Sequence, residues 1–401
     1  MKLAIISPGF VPVPAVRGGA VEQLITYIIE ANEVNHKYDI ELYTVDDPQL
    51  IKKTYKYTKL IKVSKSKKDI FSRIYFGIKN RFMYKFHLPW NTNFFDFKIV
   101  KEYKTNYYDA VLVENNMNIY SMLLKKVNRE KVYFHLHNDV GSDDLAKTNK
   151  KAKKVIATAD KILVVSDFLK KKLINLGAKS SKVKVVYNGL LSRNFPQVSQ
   201  SEKEKIRKKY GLSNSKVVFT FVGRLCADKG VDKLLSALRL LKEKDNIKCL
   251  IVGRNIFGSK GEDKYIQNLQ VISKSIQDKL IFTGYINNNE LYKIYSISDC
   301  VVIPSQFEEV FGVVALEAMT MKKAVIASRS GGLPEVLSNS CAIFINRDDN
   351  FISNLAKAMD YLAEHPSIRK SMAIEGKKRS NLFSQNEQSY FEQINKALFE
   401  N

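Results

Sequence analysis

The amino-acid sequence predicts an α/β protein with two Rossmann-like, doubly wound domains that face a central cleft. Two observations support this fold class. A chain of 401 residues is too long for one ordinary hydrophobic core, so two domains are expected. In both halves, short runs rich in branched and aromatic residues alternate with amphipathic segments, which is typical of parallel sheets covered by helices.

The first half contains six predicted strands, with helical segments such as VEQLITYIIEAN and YSMLLKKVN between several of them. The strands are LAIISP, DIELYTV, DAVLVEN, KVYFHLHND, KILVVS and VKVVYNG. Each is rich in the residues that fit a pleated and buried surface. The first half is therefore predicted to form one parallel sheet with its helices.

The second half repeats this pattern after a polar segment, VSQSEKEKIRKKYGLSNS, that is predicted to be helical. Its predicted strands are KVVFTFVGR, KCLIVG, KLIFTG, DCVVIPS, KAVIAS and CAIFIN. The boundary is predicted near Phe195, which gives an N-terminal domain of residues 1–195 and a C-terminal domain of residues 196–385. The final amphipathic segment, residues 386–401, is predicted to be a helix that packs back on the first domain.

Composition excludes several classes of protein. With 45% hydrophobic and 26% charged residues, the chain is globular rather than disordered. No apolar run approaches the roughly 18 residues that span a bilayer, and the prolines in MKLAIISPGFVPVPAV argue against a secretion signal. The cysteines Cys226, Cys249, Cys300 and Cys341 stand singly, so neither a zinc site nor a disulfide framework is indicated. A cytoplasmic protein is expected.

The formal net charge of +24 favours anionic partners. Much of the excess lies in residues 52–85, where twelve Lys or Arg accompany one acid, Asp69. The interleaved aromatic residues are Tyr55, Tyr57, Phe71, Tyr75, Phe76, Phe82 and Tyr84. This segment is either a solvated surface or an element that docks on an anionic membrane, with rings at the interface and lysines on phosphates. The sequence leaves both interpretations open.

The stretch FVGRLCADKG places two cations at a predicted strand-to-helix turn. The strand ends at Gly223, and Arg224 and Lys229 follow it before the helix VDKLLSALRLL. A guanidinium and an ammonium beside a helix N-terminus form a suitable clamp for a diphosphate. Two surface cations near a turn are the simpler alternative.

The stretch FEEVFGVVALEAMT places two acids in an otherwise apolar segment. Glu309 precedes a helix predicted to start near Phe311, and Glu317 lies about two turns into it. A carboxylate accepts hydrogen bonds from vicinal hydroxyls such as those of ribose and hexoses. The N–H groups of Gly312, Val313 and Val314 are expected to point at an anion at the helix start. The alternative is a capping acid and an exposed helix residue.

These motifs occur in an order that resembles glycosyltransferase family 4, the retaining group with the GT-B architecture of two Rossmann domains. The resemblance depends on EVFGVVALE, a Glu, seven residues, Glu motif, and on the later turn SGGLPEV. FVGRLCADKG and FTGYINNNELYKIYSISDCVVIPS resemble the family's segments before the glutamates. The resemblance covers nearly all of the second half and, more loosely, the first. It implies a transferase of bacterial polysaccharide type.

The resemblance implies a role for each matching residue. Arg224 and Lys229 would neutralise the donor diphosphate, Glu309 would bind the transferred sugar, and Glu317 would bind the ribose. The donor-binding set is completed by Gly18, Gly19, Tyr285, Ile286, Phe311, Gly312, Val313 and Val314. In the first half, His137 matches the histidine that faces the reacting sugar, and His135 is predicted to be out of phase with it.

The implied reaction is metal-independent transfer of a hexose from a nucleotide-diphosphate sugar to an acceptor hydroxyl, with retention and without a cofactor. The C-terminal domain would bind the donor, and the N-terminal domain the acceptor. A lipid-linked saccharide at the inner face of the cell membrane would suit residues 52–85. The alternatives are a nucleic-acid-binding protein, which lacks any accompanying recognition motif, and a nucleotide-sugar epimerase of the same fold.

Overall fold

The chain divides into two compact units. A computed structural model describes residues 1–64, 94–140, 145–241, 243–253 and 262–400, together with positions 74, 77, 78 and 81. The first unit consists of Met1–Gly189 and Asn386–Asn401, and the second of Leu190–Gln385. The division falls six residues before the predicted boundary at Phe195, and the C-terminal segment is grouped with the first unit.

The first unit is built on a parallel sheet of seven described strands in the order β3-β2-β1-β4-β5-β6-β7. The strands are β1 (Lys2–Ile6), β2 (Asp39–Val45), β3 (Thr58–Val63), β4 (Ala110–Glu114), β5 (Lys131–Leu136), β6 (Lys161–Val164) and β7 (Val183–Val185). Strand β1 pairs with β2 on one side and with β4 on the other. The strand order therefore reverses beside β1, where the loops after β1 and β4 diverge.

Helices cover this sheet, and the last of them comes from the end of the chain. They are α1 (Ala20–Asn35), α2 (Phe94–Glu102), α3 (Met117–Leu123), α4 (Leu145–Thr158), α5 (Asp167–Asn175) and, in C-terminal position, α14 (Glu387–Phe399). Asn386 and Ser389 form a capping box that fixes the start of α14. The ring of Tyr390 then packs edge-on against Tyr27 of α1, with centroids 6.3 Å apart.

The second unit repeats the architecture with a parallel sheet of six described strands in the order β10-β9-β8-β11-β12-β13. The strands are β8 (Val217–Val222), β9 (Ile247–Val252), β10 (Leu280–Gly284), β11 (Cys300–Ile303), β12 (Ala324–Ser328) and β13 (Ala342–Ile345). Residues of β11 and β12 are buried throughout, as the apolar runs predicted. Here the order reverses beside β8, which pairs with β9 and β11.

Most helices of the second unit bury apolar side chains, whereas α6 (Gln200–Lys209) has no buried residue. The others are α7 (Val231–Leu240), α8 (Glu262–Ser273), α9 (Leu291–Ile297), α10 (Val313–Thr320), α11 (Leu333–Val336), α12 (Phe351–Glu364) and α13 (Pro366–Ser380). Leu234, Leu238 and Met359 of α7 and α12 are fully buried in the core of this unit. The polar segment that was predicted to be helical is α6.

One described strand is absent from the sequence prediction. Strand β3, TKLIKV, lies within residues 52–85 and forms the edge of the first sheet beside β2. Its lysines concealed the strand pattern, although charged edge strands are common because they prevent further pairing. The prediction of a membrane-docking element falls mostly on residues outside those that the structure describes. Among the described residues, no helix combines the length and apolar character needed to cross a bilayer.

Candidate functional site

The candidate site of the second unit lies where its strand order reverses. In an open α/β sheet, ligands bind beyond the carboxyl ends of the strands at this point. The loop after β8 and the loop after β11 meet there. The Lys229 Nζ lies 2.7 Å from Oε1 of Glu309, and the Ser305 hydroxyl donates to the same oxygen at 2.7 Å. The pair is largely shielded from solvent, with Glu309 9% exposed.

Gly230 explains how Lys229 reaches Glu309. Its φ of 67° is in the left-handed region, and a Cβ at this position would lie 2.0 Å from the Pro304 carbonyl oxygen. Only glycine allows the two loops to approach so closely. The Gln306 N–H also donates to the Asp228 carbonyl at 2.7 Å. The Lys-Gly dipeptide is thus held against the loop that carries Glu309.

The Ser-Gly-Gly turn after β12 holds the main chain of Glu309. The N–H of Glu309 donates to the Ser330 hydroxyl at 3.1 Å, and the N–H of Gly332 donates to the Glu309 carbonyl at 2.6 Å. A Cβ on Gly331 would lie 2.1 Å from that carbonyl oxygen. The position of Glu309 is therefore set by three loops, one after each of β8, β11 and β12.

Arg224 and the start of α10 complete the predicted donor-binding loops. Arg224 follows β8 and is exposed to solvent. Gly312 precedes α10 with a φ of 96°, and the N–H groups of Val313 and Val314 open the helix. Phe311, by contrast, is 1% exposed and packs edge-on against Phe383, with centroids 5.7 Å apart. Its side chain belongs to the core, so only the main chain of Phe311 could contact a donor.

Glu317 has a different kind of partner from Glu309. Its Oε2 accepts a hydrogen bond from the Tyr295 hydroxyl at 2.6 Å, and Tyr295 is fully buried on α9. Burial raises the pKa of Glu317 to about 7, although the Tyr295 hydrogen bond acts in the opposite direction. Glu317 is therefore a buried carboxyl with a raised pKa, not the exposed helix residue that the sequence left open.

Tyr285 and Ile286, the predicted base contacts, follow β10 and line a cavity of about 300 Å³. Lys209, the last residue of α6, and Tyr210, which follows it, line the same cavity. Gly284 has a φ of 72°, which turns the chain at the strand end. Tyr285 is 55% exposed.

In the first unit, the predicted His137 joins a buried carboxylate. Glu114 ends β4, and its Oε2 lies 2.8 Å from Nε2 of His137 and 3.2 Å from Nδ1 of His135. Both imidazoles thus contact one oxygen, so the prediction that His135 is out of phase is wrong. Residues two apart along an extended chain share a face. The side-chain oxygen of Asn115 also accepts a hydrogen bond from the main-chain N–H of His137 at 3.0 Å.

The protonation of this cluster follows from its burial. Burial lowers the pKa of His137 to about 4, His135 lowers it further, and Glu114 opposes the shift. Burial alone would raise the pKa of Glu114, but the two imidazoles outweigh it and bring this pKa to about 2. Because the Glu114 carboxylate can only accept, Nε2 of neutral His137 carries the hydrogen, and Nδ1 is left as an acceptor.

Glu114, His135 and His137 are also the one group of described residues that could ligate a metal, with ligand atoms within 4.8 Å of one another. Nε2 of His137 is hydrogen-bonded to Oε2 of Glu114 at 2.8 Å, whereas Nδ1 of His135 lies 3.2 Å from the same oxygen without forming a hydrogen bond. Oε1 of Glu114 is likewise buried without a hydrogen-bond partner among the described residues.

The glycines predicted in the loop after β1 lie at the start of α1. Gly18 has a φ of 78° and no neighbour that a Cβ would meet within 4 Å. Gly19 has a φ of 104°, and a Cβ there would lie 2.2 Å from the Glu22 carboxylate. Both positions need backbone conformations that side chains disfavour. The loop therefore leaves main chain uncovered at the carboxyl end of β1.

Sequence reasoning missed four residues that shape these sites: Glu114, Tyr295, Ser305 and Ser330. Glu114 could have been found, because an acid at the end of the buried run AVLVE follows the same strand-end rule used for the others. Ser305 directly follows the strand run DCVVIP, which is a weaker signal. Tyr295 and Ser330 lie in stretches that carry the family resemblance, but their contacts come from elements distant in sequence and were not indicated by those motifs.

Comparison with known proteins adds independent information. A family model described as glycosyl transferases group 1 matches residues 202–379, and one described as Glycosyltransferase Family 4 matches residues 34–190. YtcC of Bacillus subtilis (strain 168) is 27% identical over 366 residues, which cover 90% of this chain and 83% of that protein. The lipopolysaccharide 1,2-N-acetylglucosaminetransferase of Salmonella typhimurium is 26% identical over 272 residues, covering 65% and 66% respectively.

Among solved structures, Anabaena HepE in complex with UDP superposes with a TM-score of 0.76 and covers 99% of both chains at 18% identity. At this identity the likeness concerns the fold, which is GT-B. The two family models match one half of the chain each, and their ranges follow the two units closely.

Proposed function

Because the chain belongs to glycosyltransferase family 4, we propose that it moves a hexose from a nucleoside diphosphate sugar to an acceptor hydroxyl, with retention at the anomeric carbon. Membership of the family, and relatives that act on saccharides, support glycosyl transfer itself. The proposed donor unit is the second, and the proposed acceptor unit is the first.

One observation carries the proposal: a shielded cation and a carboxylate are held together at the point where the second sheet reverses its strand order. Lys229 and Glu309 are 2.7 Å apart there, and Arg224 emerges from the same loop. A nucleoside diphosphate sugar offers a matching pair of groups. Its phosphates would replace the Glu309 contact of Lys229, and the released carboxylate would accept from hydroxyls of the hexose.

The chemical step follows from this placement. The bond between the anomeric carbon and the diphosphate oxygen breaks, and the negative charge that grows on the diphosphate is stabilised by Lys229, Arg224 and the N–H groups that open α10. The acceptor oxygen bonds to the anomeric carbon on the same face, and its proton passes to the departing phosphate oxygen. The fixed cations replace a metal ion in this scheme. His137, neutral at pH 7, would accept from a hydroxyl of the transferred sugar through Nδ1.

The acceptor is proposed to be a lipid-linked saccharide in the assembly of a cell-surface polysaccharide, on the inner face of the membrane. The Salmonella relative is named for lipopolysaccharide, and the net charge of +24 suits an anionic bilayer. Flotation with vesicles that contain or lack anionic lipid tests this part. We expect binding only with anionic lipid, and indifference to lipid charge would refute the membrane role.

The donor role is tested with a panel of UDP-, GDP-, ADP- and TDP-sugars, since a ligand that binds only the folded state raises the melting temperature. The donor that stabilises the protein is then used with an acceptor mixture. Glu309→Gln and Arg224→Ala are expected to lower transfer at least about 100-fold, as loss of a charge-stabilising group does. Exposed Arg129→Ala, in the first unit, is the control. Unimpaired transfer by Glu309→Gln and Arg224→Ala would refute their roles, and conversion of the donor without acceptor would indicate an epimerase.

A further inference from the structure

Glu317 meets one partner among the described residues, and that partner is not charged. The Tyr295 hydroxyl donates to Oε2 at 2.6 Å. The other oxygen, Oε1, accepts no hydrogen bond from the described residues, and Glu317 is 9% exposed to solvent. One oxygen is thus occupied from inside the protein, and the other is free to accept from outside it.

Tyr295 is fixed more firmly than a surface side chain could be. It is fully buried on α9, and its ring centroid lies 6.3 Å from that of Phe195. The main-chain N–H of Ser298 donates to the Tyr295 carbonyl at 3.2 Å. Burial raises the pKa of its hydroxyl well above the ordinary value, with Glu317 adding to the shift. The hydroxyl therefore remains a donor at every working pH, and the orientation of the Glu317 carboxylate follows from it.

We propose that Tyr295 is a positioning residue, whose hydroxyl holds Oε2 of Glu317 and so presents Oε1 to the ribose hydroxyls of the donor. The inference depends on the proposed function, because it requires a nucleotide at this site. It identifies how the second unit distinguishes a ribonucleotide from a 2′-deoxyribonucleotide. A carboxylate that could rotate freely would accept a hydrogen bond from either ribose hydroxyl with little selectivity. A fixed carboxylate binds more tightly to a sugar whose two vicinal hydroxyls lie in one defined position.

The same contact makes donor binding depend on pH. Ribose hydroxyls that donate to Oε1 favour the charged carboxylate, so binding releases a proton from the fraction of Glu317 that is protonated. Burial and the Tyr295 hydrogen bond are the two causes that shift this carboxyl, and no cation among the described residues acts on it. The charge of Glu309, the other motif acid, is balanced by Lys229. Removing the Tyr295 hydroxyl would therefore move the pH midpoint of binding upward.

The test is calorimetric titration of the full chain with UDP, GDP and ADP and with their 2′-deoxy forms, at pH 6 and pH 8.5. We expect the unaltered protein to prefer the ribo form of its nucleotide by about tenfold or more, the value of one hydrogen bond to a charged group. Tyr295→Phe should reduce this preference toward one and shift the pH midpoint upward. Tyr120→Phe is the matched control, because it removes another buried hydroxyl, 2.9 Å from Thr158, in the first unit.

Each outcome decides between the two proposals. If the protein binds none of these nucleotides, the proposed function fails and this inference fails with it. If a nucleotide binds but Tyr295→Phe keeps both the ribose preference and the pH midpoint, the positioning role is refuted and the donor site stands. Should Tyr295→Phe not fold, Glu317→Asp tests the carboxylate that Tyr295 is proposed to hold. A ribose preference retained by Glu317→Asp would overturn the proposal.

Discussion

Two buried glutamates, one in each unit, show that burial alone does not determine the state of a carboxyl group. Glu114 is 1% exposed and Glu317 is 9% exposed. The pKa of the first falls to about 2 because two imidazoles share its oxygen. The pKa of the second rises to about 7 because burial acts against a single phenol hydroxyl. The partners of each carboxyl group therefore decide whether burial raises its pKa.

The two glutamates accordingly suit different tasks. Glu114 is a permanent anion that fixes the tautomer of His137, as a carboxylate orients a metal-bound or catalytic imidazole. The pKa of Glu317 lies near neutrality, so its protonation changes with pH in this range. Glu309 has both a cation and a hydroxyl as partners. The partners of the three residues can be removed separately.

The largest effect is expected from Glu114→Gln. It removes the anion and leaves two imidazoles buried together, so we expect a loss of about 3 kcal/mol in the free energy of unfolding at pH 7. The lowered pKa means that this stabilisation is present above about pH 4.5 and is lost as the pH falls toward 2. Urea denaturation at several pH values measures the loss in free energy of unfolding and its dependence on pH. Exposed Glu102→Gln is the control, and equal losses in the two variants would contradict the comparison.

A smaller effect of opposite sign is expected from Glu317→Gln. The raised pKa favours the folded state below about pH 4.5, and this contribution is lost as the pH rises through about 7. At pH 8 the unaltered protein holds a desolvated charge that the amide lacks, so the variant should be more stable by roughly 2 kcal/mol. At pH 5 the two should be alike. Urea midpoints at both pH values decide, and a variant that is less stable at pH 8 would show that Glu317 is held as an anion.

The smallest effect is expected from Ser305→Ala, which removes the neutral partner of Glu309 and keeps Lys229. The serine is 1% exposed, and its hydroxyl donates at 2.7 Å. A loss of about 1 kcal/mol in unfolding free energy is expected for one hydrogen bond. Ser213→Ala, an exposed serine in the same unit, should have no measurable effect. A loss as large as that of Glu114→Gln would mean that one hydroxyl contributes as much as a carboxylate shared by two imidazoles, against the comparison.

Much of the fold could be predicted from the sequence because its strands are buried on both faces. Runs such as CVVI and AVLVE have the continuous apolar character that parallel sheets require. Strand β3 escaped prediction because an edge strand of a charged protein carries lysines on its solvent side. The order of the strands within each sheet was not predicted, because a strand run does not reveal which neighbours it pairs with.

The candidate site was predictable only in part. Lys229 and Glu309 lie in recognisable motifs, and their meeting follows from the rule that ligands bind at strand ends. What the motifs could not reveal is the partner of each acid. Tyr295 and Glu317 are 22 positions apart, and nothing in either local stretch indicates the contact. Likewise the wrong prediction for His135 concerned the direction in which its side chain points at the end of β5, and not the chemistry of histidine.

The placement of α14 has a consequence for how the protein is made. Its residues complete the first unit, yet they leave the ribosome after all of Leu190–Gln385 has been synthesised. Tyr27 can therefore contact Tyr390 only after the entire second unit has been synthesised. The second unit can fold before the first unit is complete, and a nascent chain stalled near residue 385 would expose the apolar face of α1 to chaperones.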